Sequence, residues 1–361
     1  MTWPSDAVHR PQVNQVLILG SGTIADELSL SFRRLGLQTR TGTLETAYAL
    51  RDIPMLTVVC DFATPTELND FVKATGTELV PSVDACCMTR NREGIRRTAA
   101  EELGLPTMEY EFAGSLDELR ESAIRVGFPC VVKPGRSTGG EGQSFVQGAE
   151  ELENAWAKAH VPESDGRVTV ERYVNFDMEC TIITARSIDP ATGQLSTWFC
   201  EPIGTRHENG RLVEAWQPAP LSESAMDNAR SIAARISGAI GGQGTYAIDL
   251  FVEGDEVYFS QVSPHPTLEA MITGATQRVS AFDLHARAVL GLPIDATLTS
   301  PGAARFLPAS KFSPSTLVDV LSIPESGVTV ADDIGVIRVT ADTVDEARQR
   351  AEEALRYCRV T

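Results

Sequence analysis

The sequence predicts an α/β protein of more than one domain, and three observations carry that expectation. The chain has 361 residues, enough for two or three domains at roughly 100–200 residues each. Over the first 88 residues, apolar runs alternate with amphipathic stretches in a strand–helix rhythm. Further on, short β-type runs surround a glycine-rich loop that follows a lysine.

Composition narrows the function classes. Hydrophobic residues make up 42% and charged residues 22% of the chain, ordinary for a globular protein. No apolar run reaches the roughly 18 residues needed to span a bilayer. The start, Met1-Thr2-Trp3-Pro4-Ser5-Asp6, lacks a basic segment followed by an apolar one, so no secretory signal is expected and the cytoplasm is the expected location. Net charge is 31 − 49 = −18, which argues against nonspecific nucleic-acid binding. Seven cysteines, none in Cys-x-x-Cys spacing, read as reduced thiols. Five scattered histidines with no His/Cys cluster make a zinc site unexpected.

In chain order, Val13 to Leu19 reads as a strand, Gly20-Ser21-Gly22 as a tight turn, and the next segment as a helix through Phe32, Leu35 and Leu37. This opens a Rossmann-like unit, although Gly-Ser-Gly alone more often marks a turn than a nucleotide site. Strands are expected at Leu56–Val59 and Glu78–Val83, with a helix over Pro65–Thr75 between them. Thr89 to Leu103 reads as one basic helix stopped by Gly104 and Pro106. Its four arginines serve either as a solvated face or, at Arg92, as a polyphosphate ligand. Leu116–Val126 is an amphipathic helix.

Cys130 to Val132 then reads as a short buried strand that delivers Lys133 to Gly135-Arg136-Ser137-Thr138-Gly139-Gly140-Glu141-Gly142-Gln143. Glycines there remove the β-carbon barrier to positive φ and let backbone N–H groups approach an anion. A lysine at the strand end adds a point charge suited to phosphate. The Walker A spacing is absent. On its own the stretch is equally a polar surface hairpin.

Further strands are expected at Val168–Val174, Phe176–Thr184, Trp198–Gly204 and Leu212–Trp216, and helices at Ala149–Ala159, Met226–Ile240 and Phe282–Leu290. Tyr246–Val252 carries one acid, Asp249, in an apolar run. Gly254-Asp255 turns it into a return strand, Glu256–Ser260, before Gln261-Val262-Ser263-Pro264-His265-Pro266. The bland alternative makes Asp249 the cap of a bulge at a sheet edge. Short strands and a final helix, Val344–Arg356, are expected in the tail.

A lysine strand before a glycine loop, an acid-ended strand after it and an acid–hairpin–amide pair together resemble the ATP-grasp superfamily. Within it, the chain is similar to the formate-dependent phosphoribosylglycinamide formyltransferases. The likeness is carried by Asn91–Arg97, Ala99–Thr107, Pro129–Pro134, Glu214–Pro218 and Asp249–Pro266. It covers about residues 13–300.

The resemblance implies an ATP-grasp fold: a Rossmann-like domain at 1–88, an ATP-grasp domain at 89–300 with its lid at about 115–178, and a small β-rich domain at 301–361. It implies ATP and Mg²⁺ as cofactors, small carboxylate and amine substrates, and a homodimer. Arg92 and Lys133 would meet phosphates, and Ser137, Thr138, Gly139, Gly140, Gly142 and Gln143 would cover them. Glu171, Arg172, Tyr173 and Val174 would grip adenine, and Glu179 the ribose. Asp249 and Gln261 would ligate the metal. His265, Lys133 and Arg92 would act in catalysis. The acceptor positions fall on Thr23, Ile24, Ser82, Glu269, Asp332 and Asp333.

Several of these positions depart from the family pattern. Gln261 replaces a glutamate, His265 an arginine and Glu141 a lysine. Leu268 replaces an acceptor-binding aspartate, and acids stand at 332 and 333 where the family has arginines. The leading expectation is therefore an ATP-dependent ligase that activates formate or another small carboxylate as an acyl phosphate and passes it to an amine other than glycinamide ribonucleotide. One alternative is a true formate-dependent transformylase of purine synthesis. Another is a nucleotide-binding homologue with impaired catalysis.

Overall fold

The structure, a computed structural model, describes residues 8–60, 63–135, 141–160, 166–208, 210–331 and 333–359. Residues 15–80 carry a parallel sheet. Its strands β1 (Gln15–Leu19), β2 (Gln38–Gly42), β3 (Leu56–Val59) and β4 (Glu78–Val80) lie in the order β2-β1-β3-β4. Helices α1 (Gly22–Arg34), α2 (Leu44–Tyr48) and α3 (Pro65–Thr75) link them. The apolar runs at β1 and β3 are buried, as a parallel sheet covered on both faces requires. Strand β2 does not appear in the sequence expectations, because Gln-Thr-Arg-Thr-Gly is polar and half-exposed at a sheet edge.

The basic helix expected to open at Thr89 is instead broken. Helix α4 (Val83–Arg90) ends first, and Asn91 caps a new helix α5 (Arg92–Arg97) by accepting from Gly94 N at 3.0 Å. A π-turn over Thr98–Glu102 follows. The break matters because it places Arg92 in the first turn of a helix whose backbone N–H reaches Gly135 O at 3.2 Å.

Next comes a small antiparallel sheet, β5 (Tyr110–Ala113), β6 (Cys130–Pro134), β7 (Ser144–Val146) and β8 (Val168–Arg172), in the order β5-β8-β6-β7. Helices α6 (Leu116–Val126) and α7 (Leu152–Lys158) cover it around a core of Leu119, Val132, Leu152 and Val170.

The largest sheet has nine strands: β9 (Met178–Ile188), β10 (Leu195–Phe199), β11 (Ile203–Glu208), β12 (Arg211–Gln217), β13 (Gly244–Glu253), β14 (Glu256–Ser263), β15 (Gly302–Pro308), β16 (Ser326–Val330) and β17 (Ile334–Thr340). The single strand expected at Trp198–Gly204 is two strands, divided at Cys200-Glu201-Pro202, where proline supplies no ladder donor. The order is β14-β13-β9-β11-β12-β15-β17-β16, with β10 also on β9. The strands after residue 301 thus continue the same sheet as the acid–hairpin pair. Helices α8 (Glu223–Ile240), α9 (Thr273–Thr276), α10 (Ala281–Val289), α11 (Pro314–Leu321) and α12 (Val344–Arg359) complete the chain. One hydrophobic core joins β1 and α1 to α10 and the large sheet through Ile18, Phe32, Phe282, Leu284 and Ile183. Among the described residues no helix is long and apolar enough to cross a membrane.

Candidate active site

The three sheets enclose a cavity of about 1340 Å³ lined by Arg92, Lys133, Glu171, Asp249, Gln261 and Glu269, among others. One wall is cationic. In the antiparallel β6–β8 pair, Val131 faces Glu171, and Lys133 lies two residues beyond Val131, so both charged side chains leave the same face. Lys133 Nζ donates to Glu171 Oε2 at 2.5 Å, and Arg96 Nη2 donates to Oε1 at 2.5 Å. Arg96 also donates to the carbonyls of Phe259 (2.9 Å) and Ser260 (3.0 Å) on β14. Burial alone would raise the Glu171 carboxyl, yet Arg96, Lys133 and Arg92 hold it down at about 2. Burial lowers the Lys133 ammonium, and Glu171 opposes that shift.

Arg92 differs from its neighbours. Its Nη1 is buried and finds no hydrogen-bond partner among the described residues. Burial pushes its guanidinium down, against the pull of Glu171. A desolvated, incompletely bonded cation is costly unless an anion completes it.

The facing wall is acidic and is assembled by strand register. Asp249 on β13 stands opposite Thr181 on β9 and opposite Gln261 on β14, so the three side chains line up across three strands. A bulge falls between Asp249 and Leu250 in the pairing of β13 with the edge strand β14, where Ser260 is the extra residue, so the bulge expected beside Asp249 at the sheet edge is present. The Thr181 hydroxyl donates to Asp249 Oδ1 at 2.6 Å, and Gln261 Nε2 donates to Oδ2 at 2.8 Å. Glu269, in the short helical turn Leu268–Ile272, is only 8% exposed, and its Oε1 accepts from the Thr267 hydroxyl. Burial, then the Glu269 charge, raises Asp249 well above the carboxylate range; burial likewise raises Glu269. Glu179, two residues before Thr181, pairs with His207 Nδ1 at 2.9 Å. Burial would lower the His207 imidazole, but Glu179 wins and raises it.

The other expected site residues fall as follows. His265 lines the cavity, with Nδ1 2.9 Å from Pro266 O. Gln143 lines it too, after Gly142 at φ +73°. Ser137, Thr138, Gly139, Gly140 and Asp332 lie outside the described residues. Arg172 is exposed and paired with Glu109 at 3.0 Å; Tyr173 packs edge-on against Phe145 with ring centroids 4.8 Å apart; Val174 is half-buried. Ile24 packs on the main hydrophobic core. Ser82 caps α4 by accepting from Ala85 N at 3.2 Å. Thr23 meets Asp333, hydroxyl to Oδ1, at 3.2 Å. Ser21 gives α1 no side-chain cap, so the Asp333 carboxylate supplies negative charge near the positive end of that helix.

Sequence reasoning missed Arg96, His207 and Thr181. Arg96 was readable in part, since it lies four residues after Arg92 on the same helical face. The other two depend on pairings of β9 with β11 and β13.

The family model described as the ATP-grasp domain matches residues 98–282. The chain belongs to the ATP-grasp family. Among curated proteins, it is 43% identical to a formate-dependent phosphoribosylglycinamide formyltransferase of Corynebacterium efficiens, over 94% of each chain. It is 40% identical to that of Rhodococcus jostii, also over 94% of each. Among solved structures, it is similar to glycinamide-RNase-transformylase T from Mycobacterium tuberculosis, with a TM-score of 0.79, 35% identity, and coverage of 95% of this chain and 99% of the other. A carboxyaminoimidazole ribonucleotide synthase from asperigillus clavatus complexed with ATP shares the fold at a TM-score of 0.84 and 19% identity, over 96% of this chain and 98% of the other. This ATP-grasp protein is an enzyme of the formyltransferase-like, ATP-using kind. The comparisons support a glycinamide ribonucleotide transformylase better than the other acceptor that the sequence departures suggested.

Proposed function

We propose that the enzyme uses ATP to activate formate and transfers the formyl group to the primary amine of glycinamide ribonucleotide. The observation that carries this reading is its 43% identity to a transferase of that name across 94% of both chains. Arg92 and Lys133 take the phosphates from the cationic wall, where the spreading charge of phosphoryl transfer needs stabilising. A formate oxygen attacks the γ-phosphorus and ADP leaves. The amine nitrogen then attacks the formyl carbon, phosphate leaves, and the nitrogen gives up a proton. The backbone of Glu171 to Val174 holds adenine, and Glu179, steadied by His207, receives the ribose.

The oxygen-rich donor set of the acidic wall fits a hard divalent cation. Asp249, with Gln261 beside it, would hold Mg²⁺, which when bound neutralises phosphate charge. Among the described residues no group of three His, Cys, Asp or Glu side chains makes a closed metal site. That suits an ion that usually binds through one or two carboxylates and the nucleotide's own phosphates.

One observation favours a second reading of the acceptor. Asp333 stands at the start of α1, beside Thr23, and a carboxylate there repels a phosphorylated substrate. Steady-state kinetics with ATP, formate and either glycinamide ribonucleotide or the dephosphorylated riboside decide between the two. The proposal expects formate-dependent ADP release with the ribonucleotide, at a kcat/KM at least about tenfold above the riboside, since each 1.4 kcal/mol of phosphate recognition gives tenfold. A preference for the riboside transfers the assignment to the second reading. No formate-dependent turnover with either overturns both.

A further inference from the structure

Two carboxylates, Asp249 and Glu269, line the cavity without a permanent counter-charge. The Glu269 charge bears on Asp249, and the Thr181 hydroxyl bears on both. Neither makes an ion pair with a lysine or arginine among the described residues, whereas the nearby carboxylates Glu171 and Glu214 bind two and three cationic side chains. Buried charge is normally paired or placed on a metal. Gln261 does not supply the missing charge. Its amide is neutral, and its nitrogen is turned to Asp249 Oδ2. A second, independent observation comes from the other wall: the buried, partnerless Nη1 of Arg92 calls for an anion in the same cavity.

We propose that Glu269 joins Asp249 as the carboxylate pair that holds the nucleotide's divalent cation in this chain, with Gln261 orienting Asp249. Thr267 fixes one oxygen of Glu269, and the second oxygen serves the ion. The inference rests on the ATP reading above, and it makes Glu269 a metal ligand, not an acceptor contact.

Mn²⁺ is the probe, read by electron paramagnetic resonance of the full chain with a nonhydrolysable ATP analogue, alongside calorimetry of the analogue in EDTA. Glu269→Gln is expected to weaken Mn²⁺ binding to the protein–nucleotide complex by at least about tenfold, because a full charge near a divalent ion is lost. Metal-free nucleotide affinity should stay within about twofold, which also reports that the variant is folded. Gln261→Ala should weaken Mn²⁺ less than Glu269→Gln does. Glu269→Asp, which keeps the charge, should fall between wild type and Glu269→Gln. The proposal is overturned if Glu269→Gln binds Mn²⁺ like wild type, including the case where it raises only the KM for the amine. It is also overturned if Gln261→Ala is the more damaging change. Wild-type protein that binds no nucleotide overturns the ATP reading and this inference together, whereas wild-type nucleotide binding with an unaffected Glu269→Gln overturns the inference alone.

Discussion

Glu171→Ala is expected to destabilise the fold by about 3–5 kcal/mol, the usual cost of removing one partner from a buried ion pair. Glu171 is 4% exposed and bonded on both oxygens, to Arg96, itself 2% exposed, and to Lys133. Alanine would strand two desolvated cations. Urea unfolding at neutral pH would register this as a lower midpoint with an unchanged slope. A loss below about 1 kcal/mol would mean that water or rearrangement replaces the carboxylate. The pH dependence follows from the sign of the shift. Burial opposes ionisation, but Arg96, Lys133 and Arg92 hold Glu171 down at about 2, below its ordinary 4.5. Its contribution is therefore fully present above about pH 4.5 and is lost as pH falls toward 2. That window is worth on the order of 3 kcal/mol, and in Glu171→Ala this part of the acid limb should be missing.

Arg92→Met is expected to act in the opposite sense on stability and strongly on binding. Arg92 presents a buried nitrogen without a partner, so replacing it with an apolar side chain of similar length should leave the nucleotide-free protein as stable as wild type, or more so. The same change removes a charge-assisted contact to phosphate, worth about 1.5–3 kcal/mol, or roughly 10- to 150-fold in ATP affinity. Thermal melts and calorimetric titration with ATP measure the two halves separately. Full ATP affinity in Arg92→Met would remove Arg92 from the phosphate site. A melt lowered by several degrees would mean that it has a structural partner.

The two variants separate what was legible in the sequence from what was not. Helix Leu116–Val126 has the boundaries its apolar spacing predicts. The hairpin that carries Asp249 and Gln261 follows from its Gly-Asp turn, although their direct pairing needs the bulge, since the unbroken register would set Ser260 opposite Asp249. Both signals are local. The helix break at Asn91 was hidden because arginine, glutamate and alanine on either side all favour helix, so only the cap marks it. Arg96 and Glu171 lie 75 residues apart, and their meeting depends on how the small sheet docks on β14. Likewise, His207 reaches Glu179 because β11 pairs with β9, which sets Thr205 opposite Glu179 and His207 two residues farther along the same strand. Glu269 faces Asp249 through a turn with no periodic pattern. Sequence thus announced the residue types of the site, while the partner of each charge was a property of register.

Strand β9 bears on how the protein would exchange its amide hydrogens. It is 11 residues long, with β13 along one side and β11 and β10 along the other, so its backbone groups are tied on both edges. Amides in such a strand open only when the whole sheet opens, and they should exchange at the rate of global unfolding. Thr181 and Glu179 lie on β9, and Asp249 lies beside it. Lys133 instead belongs to a four-stranded sheet with its own core, free to exchange by a smaller opening. Deuterium uptake should therefore divide the cavity into a slow acidic side and a faster cationic one. Nucleotide should slow the second far more than the first.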